Sequence, residues 1–240
     1  MSRENLYDDP EFFAKYSELP RSQEGLPGAV EWPRLCAMLP KLDGLRILDL
    51  GCGFGAFARY ARQQGAASVV AVDRSANMLE RARELTSDAA IAFRQAGIEE
   101  LEFAEGSFDL VCSALVFHYL ADFLPIARKV NGWLVPDGRF VFSVEHPVMT
   151  APTQPEWRED APPAPLERYG EEGARITHWL TPGVRKYHRT VASYVNALIE
   201  AGFTLRRLEE WMPTPEEIAA NPEWAAWRHR PAFLLVSAEA

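Results

Sequence analysis

The sequence predicts an α/β fold, an open twisted sheet of about seven strands with helices on both faces. Two observations predict it. Short, near-continuous apolar runs alternate with segments of helical spacing between residues 46 and 144, as expected for parallel strands buried on both faces. The first of these runs, ILDL at 47–50, leads directly into Gly51, Cys52, Gly53, Phe54 and Gly55 and then into AFARYARQQG. A strand that ends in glycines and opens a helix exposes bare backbone and helix N–H groups to a ligand.

The elements follow in order. Asp9 is a candidate N-cap and Pro10 suits the first helical position of a short helix whose aromatic face holds Phe12, Phe13 and Tyr16. A second helix is expected at about 29–39. Strands are expected at RILDL (46–50), SVVAV (68–72), IAFRQ (91–95), FDLVCSA (108–114) and RFVFSV (139–144). Ser75 caps the helix that carries Met78, Leu79 and Ala82. Asp122 is the expected cap of a helix with Phe123, Ile126, Ala127, Val130, Trp133 and Leu134 at helical spacing and Pro125 in its first turn. Pro136-Asp137-Gly138 reads as the turn into the fifth strand.

Residues 147–187 break the alternation. Prolines 147, 152, 155, 162, 163, 165 and 182 fall there among Trp157, Tyr169, Trp179 and Tyr187. The aromatic content predicts an ordered cover. Thr190 then caps a helix through Ile199 that stops at Gly202. FTLRRLEE (203–210) reads as a strand, 213–223 as a Pro/Glu-rich connector and AFLLVSA (232–238) as the last strand.

Bulk properties limit the function. The chain has 240 residues, 48% apolar and 25% charged, with a net charge of −9. That length accommodates one large α/β domain. The acidic balance disfavours nucleic acid, which requires a basic face. RKYHR (185–189) is the most basic run and reads as a solvated helix start. Cys36, Cys52 and Cys112 have neither zinc-finger nor CxxC spacing. No signal core or membrane-length apolar run is present, so a cytoplasmic location without membrane contact is expected.

The glycines alone leave the cofactor open. Gly51, Gly53 and Ala56 also satisfy the dinucleotide pattern G-x-G-x-x-G/A, and Asp73, at the end of the second strand, suits ribose hydroxyls in either kind of site. Asp49 favours a cationic ligand group over a pyrophosphate. Together with SFDLVCSALVFHYL (107–120) and WLVPDGRFVFS (133–143), the constellation resembles class I S-adenosylmethionine-dependent methyltransferases. The closest resemblance is to their small-molecule branch, the type 11 or ubiquinone/menaquinone-methyltransferase-like proteins.

That resemblance implies a Rossmann-like sheet of order 3-2-1-4-5-7-6 with strand 7 antiparallel. It also implies S-adenosyl-L-methionine as cofactor, with S-adenosyl-L-homocysteine as product. It places Asp49 near the methionine ammonium, and the backbone of Gly51, Cys52 and Gly53 against the methionine and ribose. Asp73 would bind both ribose hydroxyls, Arg74 and Met78 would border the adenine, and Ala114 would face the methionine end. An acid usual after the third strand is absent from Ala96-Gly97-Ile98, so adenine is expected on the backbone of Gly97 and Ile98, or on Glu99. Residues 1–240 are expected to form one domain with an N-terminal helical flap (1–40) and a lid-like insertion (147–187).

Methyl transfer is an in-line displacement that needs alignment, exclusion of water and, for some acceptors, a base. His118 after strand four and His146 after strand five are the candidate bases. Each has a second reading, as a histidine bonded to loop backbone. His188 and Arg189 read either as contacts for an anionic acceptor or as a solvated cluster. Tyr7, Tyr16 and Arg21 read as a flap over the cofactor or as packing. The five histidines lack HxH or HxxxH spacing, so no metal is expected. The function read from this is methyl transfer to an O, N or C atom of a small molecule, by a monomer or homodimer. The alternatives are a nicotinamide- or flavin-dependent oxidoreductase, or a non-catalytic S-adenosylmethionine-binding protein.

Overall fold

The computed structural model describes residues 5–152 and 166–240. β1 (Arg46–Leu50) occupies the middle of the main sheet. Side chains alternate along a strand: Leu48 and Leu50 enter one buried cluster and Ile47 the other, on the opposite face. Both faces are covered, which is why the run is apolar without alternation. Parallel to β1 lie β2 (Ser68–Asp73) and β3 (Ile91–Gln95) on one side, and β4 (Phe108–Ala114) and β5 (Leu134–Glu145) on the other.

A hairpin of β6 (Gly173–Trp179) and β7 (Thr181–His188) stands apart as a two-stranded sheet. β8 (Thr204–Trp211) and β9 (Phe233–Glu239) then complete the main sheet, with β9 antiparallel to both β5 and β8. The order is β3-β2-β1-β4-β5-β9-β8. Counted within the main sheet alone, this is the expected order with an antiparallel seventh strand. The inserted hairpin shifts the numbering along the chain.

The helices are α1 (Pro10–Ser17), α2 (Pro20–Gln23), α3 (Trp32–Cys36), α4 (Ala56–Gln63) and α5 (Ala76–Glu84), followed by α6 (Leu124–Trp133), α7 (Pro147–Thr150), α8 (Val191–Glu200) and α9 (Pro215–Ala220). α3 and α4 pack on the face of Ile47, and α6 and α8 on the face of Leu48. Asp9, Ser75 and Thr190 cap α1, α5 and α8 as the sequence predicts, accepting from the backbone N–H of Phe12, Met78 and Ser193.

Several expectations change. Asp122 does not cap α6. The helix begins after Phe123, which has no side-chain cap and is fixed instead by burial against Phe117, Phe142 and Tyr194. Pro136-Asp137-Gly138 lies within β5, where Asp137 donates its backbone N–H to Ala240 O at 3.1 Å. The second helix is shorter than 29–39 because a 3-10 turn (Leu26–Gly28) precedes it and Pro33 sets its first turn. The connector at 213–223 contains α9, opened by a capping box between Thr214 and Glu217. Residues 147–187 hold α7 and the hairpin, and RKYHR runs along β7 into the residue before the Thr190 cap. Trp157 and prolines 155, 162, 163 and 165 lie outside the described residues.

Phe117 is fully buried, with ring centroids 5.3 Å from Phe123, 5.7 Å from Phe140 and 5.3 Å from Phe142. Phe117→Ala is expected to cost about 3–5 kcal/mol, read as a lower urea midpoint at an unchanged slope.

Candidate active site

The glycine turn is fixed by hydrogen bonds and by lack of space. The N–H groups of Gly51 and Cys52 both donate to Val72 O, at 2.8 and 2.9 Å. Gly51 has φ +74°, and a Cβ there would lie 2.2 Å from Val116 Cγ2, so only glycine fits. Gly53 has φ +51° and nothing within 4 Å of where a Cβ would stand. Its backbone is therefore open to a ligand. The Gly53 N–H donates to Asp73 Oδ2 at 2.9 Å, and the Ser75 N–H to Asp73 Oδ1 at 2.9 Å. Burial raises the Asp73 pKa and these N–H donors oppose the rise. The carboxylate keeps acceptor capacity beyond these two bonds.

A cleft of about 780 Å³ lies over the carboxyl ends of the strands. Chain direction across the sheet diverges between β1 and β4, and open α/β sheets bind ligands at such a switch point. The cleft brings together Gly51, Gly53, Asp73, Arg74, Met78, Gly97, Ile98 and Ala114, with Glu99 beside them. Asp49 and Cys52 instead line a smaller recess of about 110 Å³, which shares Gly51, Gly53, Ala114, Tyr16 and Arg21 with the main cleft. Cys52 packs in the core beneath the turn, and burial pushes its thiol pKa up.

Asp49 is 3% exposed, and its Oδ2 has no hydrogen-bond partner among the described residues. Burial, then the negative charge of Asp73, pushes its pKa up to about 8. At the recess mouth, Arg21 donates to both carboxylate oxygens of Glu31, at 2.6 and 2.8 Å.

The other side of the cleft is built by β5, β7 and the segment after β4. His118 is buried and accepts the Glu145 N–H at Nδ1, at 3.3 Å. With Nδ1 accepting, the neutral ring carries its proton on Nε2. Burial, partly opposed by Glu145 and reinforced by Lys186 and Arg189, lowers the His118 pKa to about 4. His118 therefore enters the cleft as a neutral donor, with the lone pair a base would need already engaged. Glu145 accepts from Lys186 Nζ at 2.5 Å. Burial raises its pKa, but the positive charge of His118 when it is protonated, and that of the hydrogen-bonded Lys186 ammonium, outweigh this and hold it below the usual carboxylate range.

The structure does not bring His146 into the cleft. Its Nδ1 accepts from the Val148 N–H at 3.1 Å, capping α7, and its Nε2 meets Glu210 Oε1 at 2.8 Å. Both nitrogens are engaged away from the site, unlike the expected base. His188 and Arg189 are likewise buried rather than solvated. His188 bonds Thr150 and Tyr169 O, and Arg189 donates to the carbonyls of Phe117 and Leu120, holding the segment that carries His118. Glu145 and Lys186 are the site residues that sequence reasoning passed over. The available signal was a period of two in Val184-Arg185-Lys186-Tyr187-His188, which marks a strand with Lys186 facing inward.

The N-terminal segment and the hairpin meet over the cleft. Trp179 packs edge-on against Phe12 (5.6 Å) and Tyr16 (6.3 Å), and Lys15 Nζ donates to Leu180 O at 3.1 Å. Tyr7 and Tyr119 share a 3.2 Å hydroxyl contact, and burial raises both pKa values.

A methyltransferase-domain family model matches residues 48–142. The crystal structure of an S-adenosylmethionine-dependent methyltransferase from Mesorhizobium loti is 48% identical, covers 90% of this chain and 100% of its own, and superposes with a TM-score of 0.86. The chain belongs to the class I S-adenosylmethionine-dependent methyltransferases. An uncharacterized protein of Haemophilus influenzae is 33% identical over 98% of this methyltransferase and 96% of its own length. The malonyl-[acyl-carrier protein] O-methyltransferase of Pectobacterium atrosepticum is 44% identical over 39% of this chain and 36% of its own.

Family membership implies S-adenosylmethionine as cofactor, and the donor set suits it. A buried carboxyl without a partner matches an ammonium, and the open backbone at Gly53 beside Asp73 matches a hydroxyl-bearing ribose. Membership of the methyltransferase family sets aside the dinucleotide reading. Among the described residues no group of side chains is arranged to hold a metal ion, and no helix is long and apolar enough to cross a membrane.

Asp49 yields a signed pH prediction. Its folded pKa lies above its ordinary value, so it stabilises the ligand-free fold at low pH, and this contribution is lost as pH rises from about 4 towards 8. Asp49→Asn is expected to raise the ligand-free Tm relative to the native protein by about 3 °C or more at pH 8.5 and much less at pH 5, measured by thermal denaturation. A cationic ligand at Asp49 lowers its pKa and releases a proton on binding at pH 7. Calorimetry in buffers of different ionisation enthalpy reads this directly.

Proposed function

We propose that this methyltransferase moves the methyl group of S-adenosylmethionine to a small-molecule acceptor. The observation that carries the reading is the orphaned Asp49 carboxyl beside the open Gly53 backbone, at the head of a cleft that continues past the cofactor residues to β5. When bound, the cofactor supplies a methyl group activated on a sulfonium.

The chain's own residues bind and align. In this reading Asp49 takes the methionine ammonium and Arg21, steered by Glu31, its carboxylate. Asp73 accepts from the ribose hydroxyls, while Met78, Gly97 and Ile98 border the adenine. Ala114, small and cleft-facing at the end of β4, leaves room between cofactor and acceptor. Val116 beneath Gly51 sets the height of the turn. The N-terminal segment and the 147–187 insertion act as flap and lid within one domain, and their aromatic contact excludes water from the displacement. His118 acts as a hydrogen-bond donor to the acceptor, and His146 supports the base of the insertion through α7.

Calorimetry with the full chain is expected to show S-adenosylmethionine binding that Asp73→Ala weakens about 10–100-fold. Incubation with a metabolite extract should yield S-adenosylhomocysteine and a product heavier by one CH2. A folded sample that gives no heat with S-adenosylmethionine overturns the reading.

A further inference from the structure

The acceptor half of the cleft has a chemistry of its own. Among the described lining residues the acids are Asp73, Glu99 and Glu145, and only Glu145 lies on the β5 side. Lys186 neutralises it. What remains there is donor-rich. His118 Nε2–H has no hydrogen-bond partner among the described residues, although the side chain is 2% exposed and lines the cleft. The Lys186 ammonium gives one of its donors to Glu145 and sits 5.0 Å from the centre of the Trp179 ring, leaving donors to spare. Arg185 lines the mouth and has no ion-pair partner among the described residues. The walls between these groups are flat and apolar, with Trp179, Tyr119 and Phe233. A chain of net charge −9 thus presents cationic and aromatic side chains together in this half of the cleft.

The buried groups of this half are not free bases, and the one other imidazole among the described lining residues, His178, is exposed on β6. The His118 lone pair is held by the Glu145 N–H, and the Glu145 carboxylate is held by Lys186. The two groups titrate well below neutrality. An aliphatic ammonium or a phenol keeps its proton at neutral pH, with a pKa of about 10, and neither buried group is free to take it. A carboxylate arrives already ionised.

We propose that the acceptor is a planar carboxylic acid, bound as its carboxylate by His118, Lys186 and Arg185 and methylated on oxygen. This rests on the methyltransferase reading above. In the step, a carboxylate oxygen lone pair forms the new C–O bond as the S–C bond breaks. The bonding pair leaves on sulfur, giving a neutral methyl ester and a neutral thioether, and no proton moves. Burial of the two opposite charges before the step and their loss in it favours the forward direction in a dry cleft.

The test uses the full chain loaded with S-adenosylhomocysteine and three matched pairs: benzoate and benzylamine, cinnamate and cinnamylamine, indole-3-acetate and tryptamine. Binding is read by quenching of tryptophan fluorescence. At least one acid is expected to bind at least about tenfold more tightly than its amine, and Arg185→Ala to weaken that acid about tenfold. His118→Ala should weaken it as well, while His118→Gln, which restores a side-chain N–H, recovers most of the loss. Turnover with methyl-tritiated S-adenosylmethionine and a metabolite extract should give label that mild alkali releases as methanol. Equal or tighter binding of the amines, no binding of any acid, no effect of Arg185→Ala, or alkali-stable label overturns the acceptor assignment and leaves the methyltransferase reading intact. Failure of the chain to bind S-adenosylhomocysteine overturns both.

Discussion

The Asp49 carboxyl is taken out of water near the buried end of β1 with one oxygen unpaired, and the arrangement of the site follows from that. A buried unpaired acceptor costs on the order of 1–3 kcal/mol, more when charged. The ligand-free protein therefore holds Asp49 protonated up to about pH 8. A ligand cation that meets it recovers the cost. The glycines serve the same end: Gly51 lets the chain turn beneath Val72 O without striking Val116, and Gly53 leaves an unobstructed path to the backbone.

Around this point the molecule divides labour by strand. β1, β2 and β3 end in groups suited to one fixed ligand, namely Asp49, Asp73 and the Gly97–Ile98 backbone. β4 leads into His118, which accepts from the backbone of Glu145 at the end of β5, and the Glu145 carboxylate takes its partner, Lys186, from the hairpin. The first group rests on the main sheet. The second borrows Lys186, Arg185 and Trp179 from the separate β6–β7 hairpin. That insertion is anchored by buried polar contacts: Arg175 to Ala151 O, His188 to Thr150, and Arg189 to the carbonyls around His118. Its tip is tied to α1 through Lys15 and Leu180 O, so chain segments 165 residues apart share the roof of one cleft.

Charge, read as a total, misleads here. The net −9 is a sum over the whole chain, whereas among the described residues lining the cleft near β5 the one carboxylate, Glu145, is paired with Lys186. Lys186 and His188 look like a solvated basic run in the sequence, yet on β7 they point inward at alternate positions. His146 is the converse case. Its place after β5 suggests chemistry, but the following Pro147 starts α7, and the imidazole turns to cap that helix and meet Glu210.

The sequence by itself determined the sheet, the glycine turn and most of the residues that gather at the ends of β1 to β4. These depend on local, short-range rules: apolar runs, capping residues, and glycine where a side chain cannot fit. Gly51, Gly53, Asp73, Arg74, Met78, Gly97, Ile98 and Ala114 accordingly meet where the strands end. Only the tertiary structure decided which polar side chains face the β5 side of the cleft. The His118–Glu145–Lys186 cluster joins three separate segments, and its hydrogen bonds span 27 and 41 residues. Whether a histidine is a base or a donor depends on which nitrogen its neighbour engages. No residue pattern in one chain carries that information, because it arises when distant backbone and side-chain groups compete for the same lone pair.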